Sequence, residues 1–153
     1  MTPAYPAHVV LPRGHGETIL LVEDQKLMLV ITTRVLTDLG YRVLTASTVT
    51  DGFNLWQERQ AEIKLIITDY IFDGTITGMD LLIKVHVRVP ELPVLIVSGS
   101  WLPDAKQEPP LPANVTYLAK PFTRAEIAHI VCELLSAPPP KFHPWSPRCK
   151  PSE

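Results

Sequence analysis

Cysteine is scarce in this 153-residue chain, which has only two, Cys132 and Cys149. Cys132 lies in a helical pattern and Cys149 in a proline-rich tail, so the sequence indicates neither a disulfide framework nor a CxxC metal site. The five histidines are scattered, and their spacing matches no metal-ligand pattern. The sequence therefore favours neither a zinc-binding nor a disulfide-stabilised class of protein.

A strong net charge and long apolar runs are also missing. The formal charge is −2, which gives no reason to expect nucleic acid or an anionic membrane as a partner. The longest apolar stretches are far shorter than the ~20 residues that a transmembrane helix needs. The first residues, from Met1 to Tyr5, lack the charged and apolar regions of a signal peptide. We therefore expect a cytoplasmic protein that does not associate with a membrane.

Proline and glycine mark the two ends of the chain. They predict an extended leader over residues 1–16, and the prolines of residues 137–153 predict a tail that does not fold. The chain is 46% hydrophobic, and residues 17–136 are enough for one domain with its own core. Gly14-His15-Gly16 does not predict a dinucleotide-binding loop, because it precedes the first strand, whereas such a loop follows one.

Four short apolar runs end on polar residues that can carry chemistry. The central run, Lys64–Asp69, is rich in Ile and fits a strand buried on both faces, with Asp69 at its carboxyl end. Because ligands of open parallel α/β sheets bind outside the carboxyl ends of the strands, we expect these polar side chains to converge on one site. The other runs are Thr18–Val22 followed by Glu23 and Asp24, Pro93–Val97 followed by Ser98, and Val115–Ala119 followed by Lys120.

Helical patterns separate the apolar runs. Met28, Ile31, Val35 and Leu39 predict the inward stripe of a first helix, which Gly40 ends. Five strands alternating with helices predict an α/β fold, a parallel sheet with helices on both faces. The next predicted elements are a strand over Tyr41–Ala46, a helix with Val49, Phe53 and Trp56 inward, and a helix over about Met79–Val89. Prolines allow only a short helix over about Leu102–Glu108. The last helix opens with the capping box Thr123-Arg124-Ala125-Glu126 and has Ile127, Ile130, Val131 and Leu134 inward.

The polar residues at the strand ends suit phosphoryl transfer. The carboxylates of Glu23, Asp24 and Asp69 would repel one another, and magnesium, which prefers hard oxygen ligands, is the usual remedy. An aspartate beside a metal can attack phosphorus, since aspartyl-phosphate is an established covalent intermediate. Ser98 and Lys120 would supply donors to the phosphoryl oxygens. Any one of these residues after a strand is more often part of a turn. Carboxylates, a serine and a lysine at the ends of four strands, in this order, nevertheless indicate one site.

This set of residues, together with Lys120-Pro121-Phe122, resembles the signature of the CheY-like receiver domain of two-component response regulators. The resemblance covers roughly Glu17 to Ser136. It implies a flavodoxin-like (βα)5 three-layer sandwich with a five-stranded parallel sheet of order 2-1-3-4-5, in which the proline-rich segment makes the fourth helix short or irregular. It also implies a signalling module that takes a phosphoryl group from a sensor histidine kinase or a histidine phosphotransfer protein. Such a module catalyses only its own phosphotransfer and autodephosphorylation.

The resemblance assigns roles around the acceptor. Asp69 would be the phosphoacceptor and Asp24 the direct Mg²⁺ ligand. Glu23 would act in the outer shell of the metal, and the backbone carbonyl of Ile71 would complete the site. The resemblance therefore implies Mg²⁺ as the cofactor.

A second group of roles lies on the later strands. Ser98 and Lys120 would bind the phosphoryl group, and Tyr117 matches the aromatic switch position that responds with Ser98. The resemblance also implies a cis Lys120–Pro121 bond, because X-Pro is the peptide type whose cis form costs as little as about 0.5–1 kcal/mol. A cis bond there would aim the lysine at the site.

Besides the proline-rich fourth-helix region, two features depart from the commonest receiver pattern. Asp73 stands where the family usually has proline, and the segment from Asp69 to Gly78 is one residue longer. The leader Leu11–Glu17 and the Ser98-Gly99 pair look like receivers attached to hybrid sensor kinases. A stand-alone response regulator and the receiver module of a hybrid kinase are therefore both open.

Two other function classes compete with the phosphoaccepting module. Aspartate-nucleophile phosphatases of another α/β family have the motif Asp-x-Asp. In this chain Ile71 stands where the second Asp of that motif would be. A receiver-like interaction module that is never phosphorylated would fit the unusual Asp73. Every residue that the phosphoacceptor chemistry needs is nevertheless present, so we favour the signalling module.

The first helix also predicts a protein contact. Its inward stripe leaves Leu27, Leu29 and Val30 on flanks that should face water beside the site, where adjacent apolar side chains suggest docking. In the receiver family, phosphodonor proteins dock on this helix. The alternative is that part of the patch covers the edge of the sheet or packs against the leader, which contains Val9, Val10 and Leu11. A homodimer is a further partner that the sequence leaves open.

Overall fold

Strands and helices alternate along the chain in this computed structural model, which describes residues 10–72, 76–99 and 114–137. The predicted short helix over Leu102–Glu108, residues 1–9 of the predicted leader and residues 138–153 of the predicted tail lie outside the described residues. In chain order the elements are β1 (Thr18–Val22), α1 (Lys26–Asp38), β2 (Arg42–Ala46), α2 (Val49–Glu58), β3 (Ile63–Asp69), α3 (Gly78–His86), β4 (Val94–Ser98), β5 (Val115–Ala119) and α4 (Arg124–Ser136).

The five strands form one parallel sheet of order β2-β1-β3-β4-β5, which confirms the predicted fold class. Helices cover both faces of the sheet. On one face Trp56 and Leu82 belong to a core cluster with Ile66, and on the other Leu36 and Ile127 belong to a second cluster. The central strand β3 thus feeds alternate side chains into two cores, because successive residues of a strand point to opposite faces. Its carboxyl end is held in place from both sides.

The predicted inward stripe of α1 is rotated by about one residue. Ile31 is 47% exposed, whereas Thr32 and Leu36 are buried and Leu29 packs against the cluster on that face of the sheet. The true inward set, Leu29, Thr32, Leu36 and Leu39, follows the same spacing of three and four residues. The prediction was wrong for Ile31 because it counted only apolar residues and so passed over Thr32. Threonine can nevertheless be buried, since its side chain carries a methyl group.

Helix α3 ends earlier than the sequence predicts. It stops at His86, with Val87 as C-cap, instead of continuing to Val89. Pro90 explains the difference, because a proline disfavours the α conformation in the residue before it. Val89 accordingly donates its backbone N–H to the Val85 carbonyl in a closing turn at 2.8 Å.

The last helix begins as predicted. The side chain of Thr123 accepts from the backbone N–H of Glu126 at 3.1 Å, and the Glu126 carboxylate accepts from the backbone N–H of Thr123 at 2.7 Å. This reciprocal capping satisfies two donors that a helix start leaves without a partner. Helices α1 and α4 have 13 residues each, and no helix among the described ranges is long and apolar enough to cross a membrane.

The described part of the leader is bound to the end of α1. Gly14 donates to the Leu39 carbonyl at 2.7 Å, and Gly16 donates to the Gly40 carbonyl at 2.9 Å. Gly14 lies directly on the ring of Tyr41, where a Cβ would come within 2.4 Å of ring carbons. Gly40 has a φ of 97°, a conformation that favours glycine. Gly14 therefore serves close packing against Tyr41, whereas Gly16 serves the backbone conformation, with a φ of 87°.

Candidate functional site

The acidic side chains meet where β1 and β3 end. Val22 pairs with Thr68 in the parallel register of the two strands, so the next residues, Glu23 and Asp69, lie side by side. Glu23 and Asp69 are buried, Asp24 is half-buried, and one carboxylate oxygen from each of the three lies within 4.8 Å of the others. Three carboxylates are thus brought together at one sheet edge, as their place in the sequence predicts.

Lys120 reaches this acid cluster (Glu23, Asp24 and Asp69) from the end of β5. Its Nζ lies 2.8 Å from Glu23 Oε2 and 3.2 Å from Asp69 Oδ2, and the Lys120–Pro121 peptide bond is cis, which confirms that prediction. The ammonium therefore joins two carboxylates and offsets part of their mutual repulsion. The pairing with Glu23 was not predicted, because no sequence spacing relates residues 97 positions apart.

Backbone donors orient both buried carboxylates. The N–H of Tyr70 donates to Asp69 Oδ1 at 3.1 Å, and the N–H of Gln25 donates to Glu23 Oε1 at 3.0 Å. Each carboxylate thus uses one oxygen for the backbone and the other for Lys120. The Asp69 side chain is fixed at the site before any ligand arrives.

The surroundings raise the pKa of Asp69. Burial is the largest cause, the nearby Glu23 carboxylate adds to it, and Lys120 opposes both, so that the pKa rises from 3.8 to about 6. Burial lowers the pKa of Lys120, but its contacts with Glu23 and Asp69 outweigh this, and the net pKa is raised. The ionised form of Asp69 is therefore costly even with Lys120 beside it, and further positive charge, such as a divalent cation, would favour it.

The stability of the protein should consequently depend on the charge of Asp69. Because its pKa is about 6 in the folded chain and ordinarily 3.8, the native state holds the extra proton between these values, and stability falls as pH rises through this window. In EDTA at pH 7.5, Asp69→Asn should raise the free energy of unfolding by on the order of 2 kcal/mol. Urea unfolding from pH 3.5 to 8 would measure this gain.

A matched control is Glu58→Gln on α2, whose side chain is exposed, and this variant should change the free energy of unfolding at pH 7.5 by less than about 0.5 kcal/mol. The gain from Asp69→Asn should shrink to a few tenths of a kcal/mol at about pH 3.5, where the wild-type carboxyl is mostly neutral in both the folded and the unfolded state. An Asp69→Asn chain that is less stable than wild type at pH 7.5 would contradict the expected cost of the ionised carboxylate.

Ser98 and Tyr117 lie on the two strands beyond β3. Ser98 is buried at the end of β4, beside β3, and its carbonyl accepts from the Lys120 N–H at 2.8 Å. Tyr117 is half-buried against the cluster that contains Trp56, and its hydroxyl lies 3.8 Å from the sulfur of Met79 on α3. Ser98 thus lies at the same edge of the sheet as the acid cluster, while Tyr117 links β5 to α3.

The segment after Asp69 turns back tightly. Ile71 and Thr77 form an antiparallel bridge, and the Gly78 N–H donates to the Tyr70 carbonyl at 2.9 Å. A Cβ on Gly78 would lie 2.1 Å from the Asp69 carbonyl oxygen, so only glycine fits there. The departure at Asp73 lies outside the described residues.

The acid cluster fits a small divalent cation. Two ligands on opposite sides of Mg²⁺ are about 4.2 Å apart, from a metal–oxygen distance of about 2.1 Å, and the three carboxylate oxygens lie within 4.8 Å of one another. All donors are oxygen atoms, which suit magnesium better than zinc or copper. Size and ligand chemistry therefore both agree with the predicted metal.

Comparison with known proteins identifies a family. The model of the response regulator receiver domain matches residues 19–132. Among curated proteins, the chain is 32% identical to the response regulator RppA of Synechocystis sp. over 112 residues, covering 71% of this chain and 46% of RppA. It is 27% identical to the sensor kinase CckA of Brucella abortus over 118 residues, covering 77% of this chain and 12% of that kinase. The chain thus spans less than half of these relatives.

The fold agrees with a solved receiver. The crystal structure of the receiver domain from the hybrid histidine kinase CckA matches with a TM-score of 0.66 and 30% identity. The match covers 78% of this chain and 99% of that one. The similarity therefore extends over a whole receiver domain and over only part of the longer proteins.

Proposed function

The chain belongs to the response regulator receiver domain family, and we propose that within it Asp69 accepts a phosphoryl group from a phosphohistidine protein, with Mg²⁺ as cofactor. The observation that carries this proposal is the convergence of Lys120 with Glu23, Asp24 and Asp69, with Lys120 Nζ 3.2 Å from Asp69. Receiver domains are signalling modules, and we assign to this one no activity beyond its own phosphotransfer and autodephosphorylation.

The proposed transfer is a displacement at phosphorus. A carboxylate oxygen of Asp69 forms a bond to phosphorus while the bond from phosphorus to the donor breaks, and the donor leaves with that electron pair as imidazole or acetate. Asp69 is already oriented by the Tyr70 N–H. Lys120 can shift its ammonium from the carboxylates to the incoming phosphoryl oxygens, and Ser98 lies on the neighbouring strand end to bind another.

Magnesium would be held by Asp24 and Asp69, with Glu23 in the outer shell and the Ile71 backbone carbonyl completing the set. When bound, it would neutralise the carboxylates and the charge of the phosphoryl oxygens. The raised pKa of Asp69 means that nearby positive charge is needed to keep this nucleophile ionised at low cost.

Incubation with acetyl phosphate and magnesium, followed by intact mass measurement, tests the proposal. We expect one labile phosphate adduct on the wild type and none on Asp69→Asn. Turnover of many phosphoesters without a stable adduct would favour the phosphatase alternative. The absence of any adduct would favour an interaction module that is never phosphorylated.

The context of the domain is a further part of the proposal. The similarity to RppA favours a response regulator, and that to the CckA sensor kinase favours the receiver module of a hybrid kinase. In both cases we infer a cytoplasmic domain with residues 17–136 as the folded unit and output through protein contacts or onward phosphotransfer. Testing which histidine kinase or phosphotransfer protein labels Asp69 fastest distinguishes the two contexts.

We also propose that phosphorylation is communicated through Ser98 and Tyr117. A hydroxyl drawn toward the phosphoryl oxygens vacates space that an aromatic ring can enter, and the Tyr117 hydroxyl donates a weak hydrogen bond to the Met79 sulfur at 3.8 Å. On addition of beryllofluoride and magnesium, the NMR signals of the Tyr117 ring should therefore move. The variant Ser98→Ala should abolish this response. Identical ring signals with and without beryllofluoride would rule out the switch.

The first helix is the proposed docking surface for the phosphodonor. Leu27 and Val30 are 71% and 65% exposed, whereas Leu29, predicted to be exposed, packs against the core because of the rotated helix phase. Replacing Leu27 and Val30 together by Lys should slow transfer from a protein donor by about tenfold or more, with acetyl phosphate labelling unchanged. Rates with each donor, measured side by side, check this.

Leu29→Lys supplies the contrast, since it should lower thermal stability because it places a charge against the core. If the double variant of Leu27 and Val30 is instead strongly destabilised, those two side chains serve the fold, and docking on α1 is refuted.

A further inference from the structure

A cavity of about 300 Å³ opens beside the acid cluster, at the carboxyl ends of β2, β1 and β3. Three loops at the carboxyl ends of neighbouring strands enclose it. The lining residues are Asp24 from the loop after β1, Ser47 and Thr48 from the loop after β2, Val49 and Thr50 from the first turn of α2, and Phe72 and Ile76 from the loop after β3. The surface that lines the cavity is mainly apolar. Asp24 belongs both to this lining and to the acid cluster.

Exposed apolar side chains surround the same edge of the domain. Among the described residues, seven large apolar side chains are exposed, and five of them lie on the two segments that flank the acid cluster. Single exposed apolar residues are ordinary, but a concentration around one site marks a contact with another molecule. The five are Leu27, Val30 and Ile31 on α1 and Ile71 and Ile76 after β3.

The size and position of the cavity restrict what can enter it. A volume of about 300 Å³ is at the lower end of small-molecule sites, and its walls offer few charged groups besides Asp24. It lies next to the atoms that receive the phosphoryl group, so any protein that brings a phosphohistidine to Asp69 also brings the neighbouring residues of its own chain over the cavity. One apolar side chain of such a protein fits both the volume and the lining.

We propose that this cavity receives an apolar side chain, of the size of Leu, Ile or Met, from the phosphodonor protein, from the segment that carries its phosphohistidine. This inference rests on the proposed function and adds a specificity pocket to it. The pocket discriminates between donors by the residue adjacent to the histidine, because an apolar side chain gains burial there and a charged one would lose hydration beside Val49 and Phe72. Small donors such as acetyl phosphate make no use of it.

Two variants alter the pocket from opposite directions without touching the acid cluster. Thr50→Phe fills it from the exposed rim of α2, and Ile76→Ser removes an exposed part of its apolar wall. The donor is the phosphorylated histidine kinase or phosphotransfer protein that labels the wild-type chain fastest in a purified panel. We expect kcat/KM for this donor to fall about 10- to 30-fold in each variant, with acetyl phosphate labelling within about twofold of wild type.

Matched controls are Thr50→Ser, which keeps the rim small, and Val87→Ser, which removes an exposed apolar residue at the C-cap of α3, outside the pocket. Both should transfer at the wild-type rate. Unchanged protein-donor rates in Thr50→Phe and Ile76→Ser overturn the pocket while the phosphoacceptor function stands. Loss of acetyl phosphate labelling in the wild type overturns the proposed function itself. A change in dimerisation on sedimentation, with donor rates unchanged, assigns the pocket to a second copy and overturns the proposal.

Discussion

Asp24→Asn should weaken magnesium binding and slow the labelling of Asp69 by acetyl phosphate together, each by at least about 10- to 100-fold. Loss of a residue that only supports a metal ligand already costs about that much, and Asp24 is proposed as a direct ligand. Mg²⁺ keeps several waters when few carboxylates hold it, so one lost carboxylate is a large share of the protein's contribution. The substitution removes both a bond and a negative charge.

Titration calorimetry with magnesium and a labelling time course on the same samples would measure the two effects. Glu23→Gln is the control, because Glu23 is bound by Lys120 at 2.8 Å and is proposed only for the outer shell, so its loss in magnesium affinity should be smaller. Unchanged magnesium affinity in Asp24→Asn would refute the assignment of Asp24. A proportional loss of binding and labelling would tie the two to one site.

Gly78→Ala should destabilise the fold by about 3 kcal/mol or more. The added methyl group would lie 2.1 Å from the carbonyl oxygen of Asp69 and 3.1 Å from Cγ2 of Thr68. The first contact is with backbone, which cannot rotate away, so either α3 or the end of β3 must move. We expect the midpoint of urea unfolding to fall with an unchanged slope, and labelling of Asp69 to slow because the acceptor strand has shifted.

Gly99→Ala is the matched comparison, since among the described residues its Cβ would approach nothing nearer than the Lys120 side chain at 3.8 Å, an ordinary contact distance. It should change stability by less than about 0.5 kcal/mol. If Gly78→Ala were as mild as Gly99→Ala, the tight contact between α3 and β3 would not constrain the acceptor.

The residues at the strand ends could be predicted because their position follows from a short-range pattern. An apolar run that stops on a charged residue locates the end of a buried strand, and parallel pairing then places Glu23 beside Asp69. The capping box of Thr123 and Glu126 is likewise local, since both hydrogen bonds span three residues. The resemblance to receivers supplied the sheet order and the cis Lys120–Pro121 bond, both of which the structure confirms.

Features that depend on contacts between distant segments were not predicted. The phase of α1 was wrong by about one residue because the buried position belongs to Thr32, which an apolar stripe passes over. No sequence pattern predicted the pocket beside Asp24, because Phe72 and Ile76, which line it, belong to a loop without hydrophobic periodicity. The contact of Gly14 with Tyr41 also joins segments that are far apart in the sequence.

The binding of the leader to the end of α1 sets the distance between the acid cluster and any domain that is joined to the leader. Helix α1 has 13 residues, so the leader is fixed about 20 Å from the acid cluster, at the opposite end of that helix. A flexible linker spans about 20 Å on average only with roughly 15 residues, and it must also pass around the domain. A donor domain attached through a shorter linker should therefore have a low effective concentration at Asp69 and transfer mainly to another molecule.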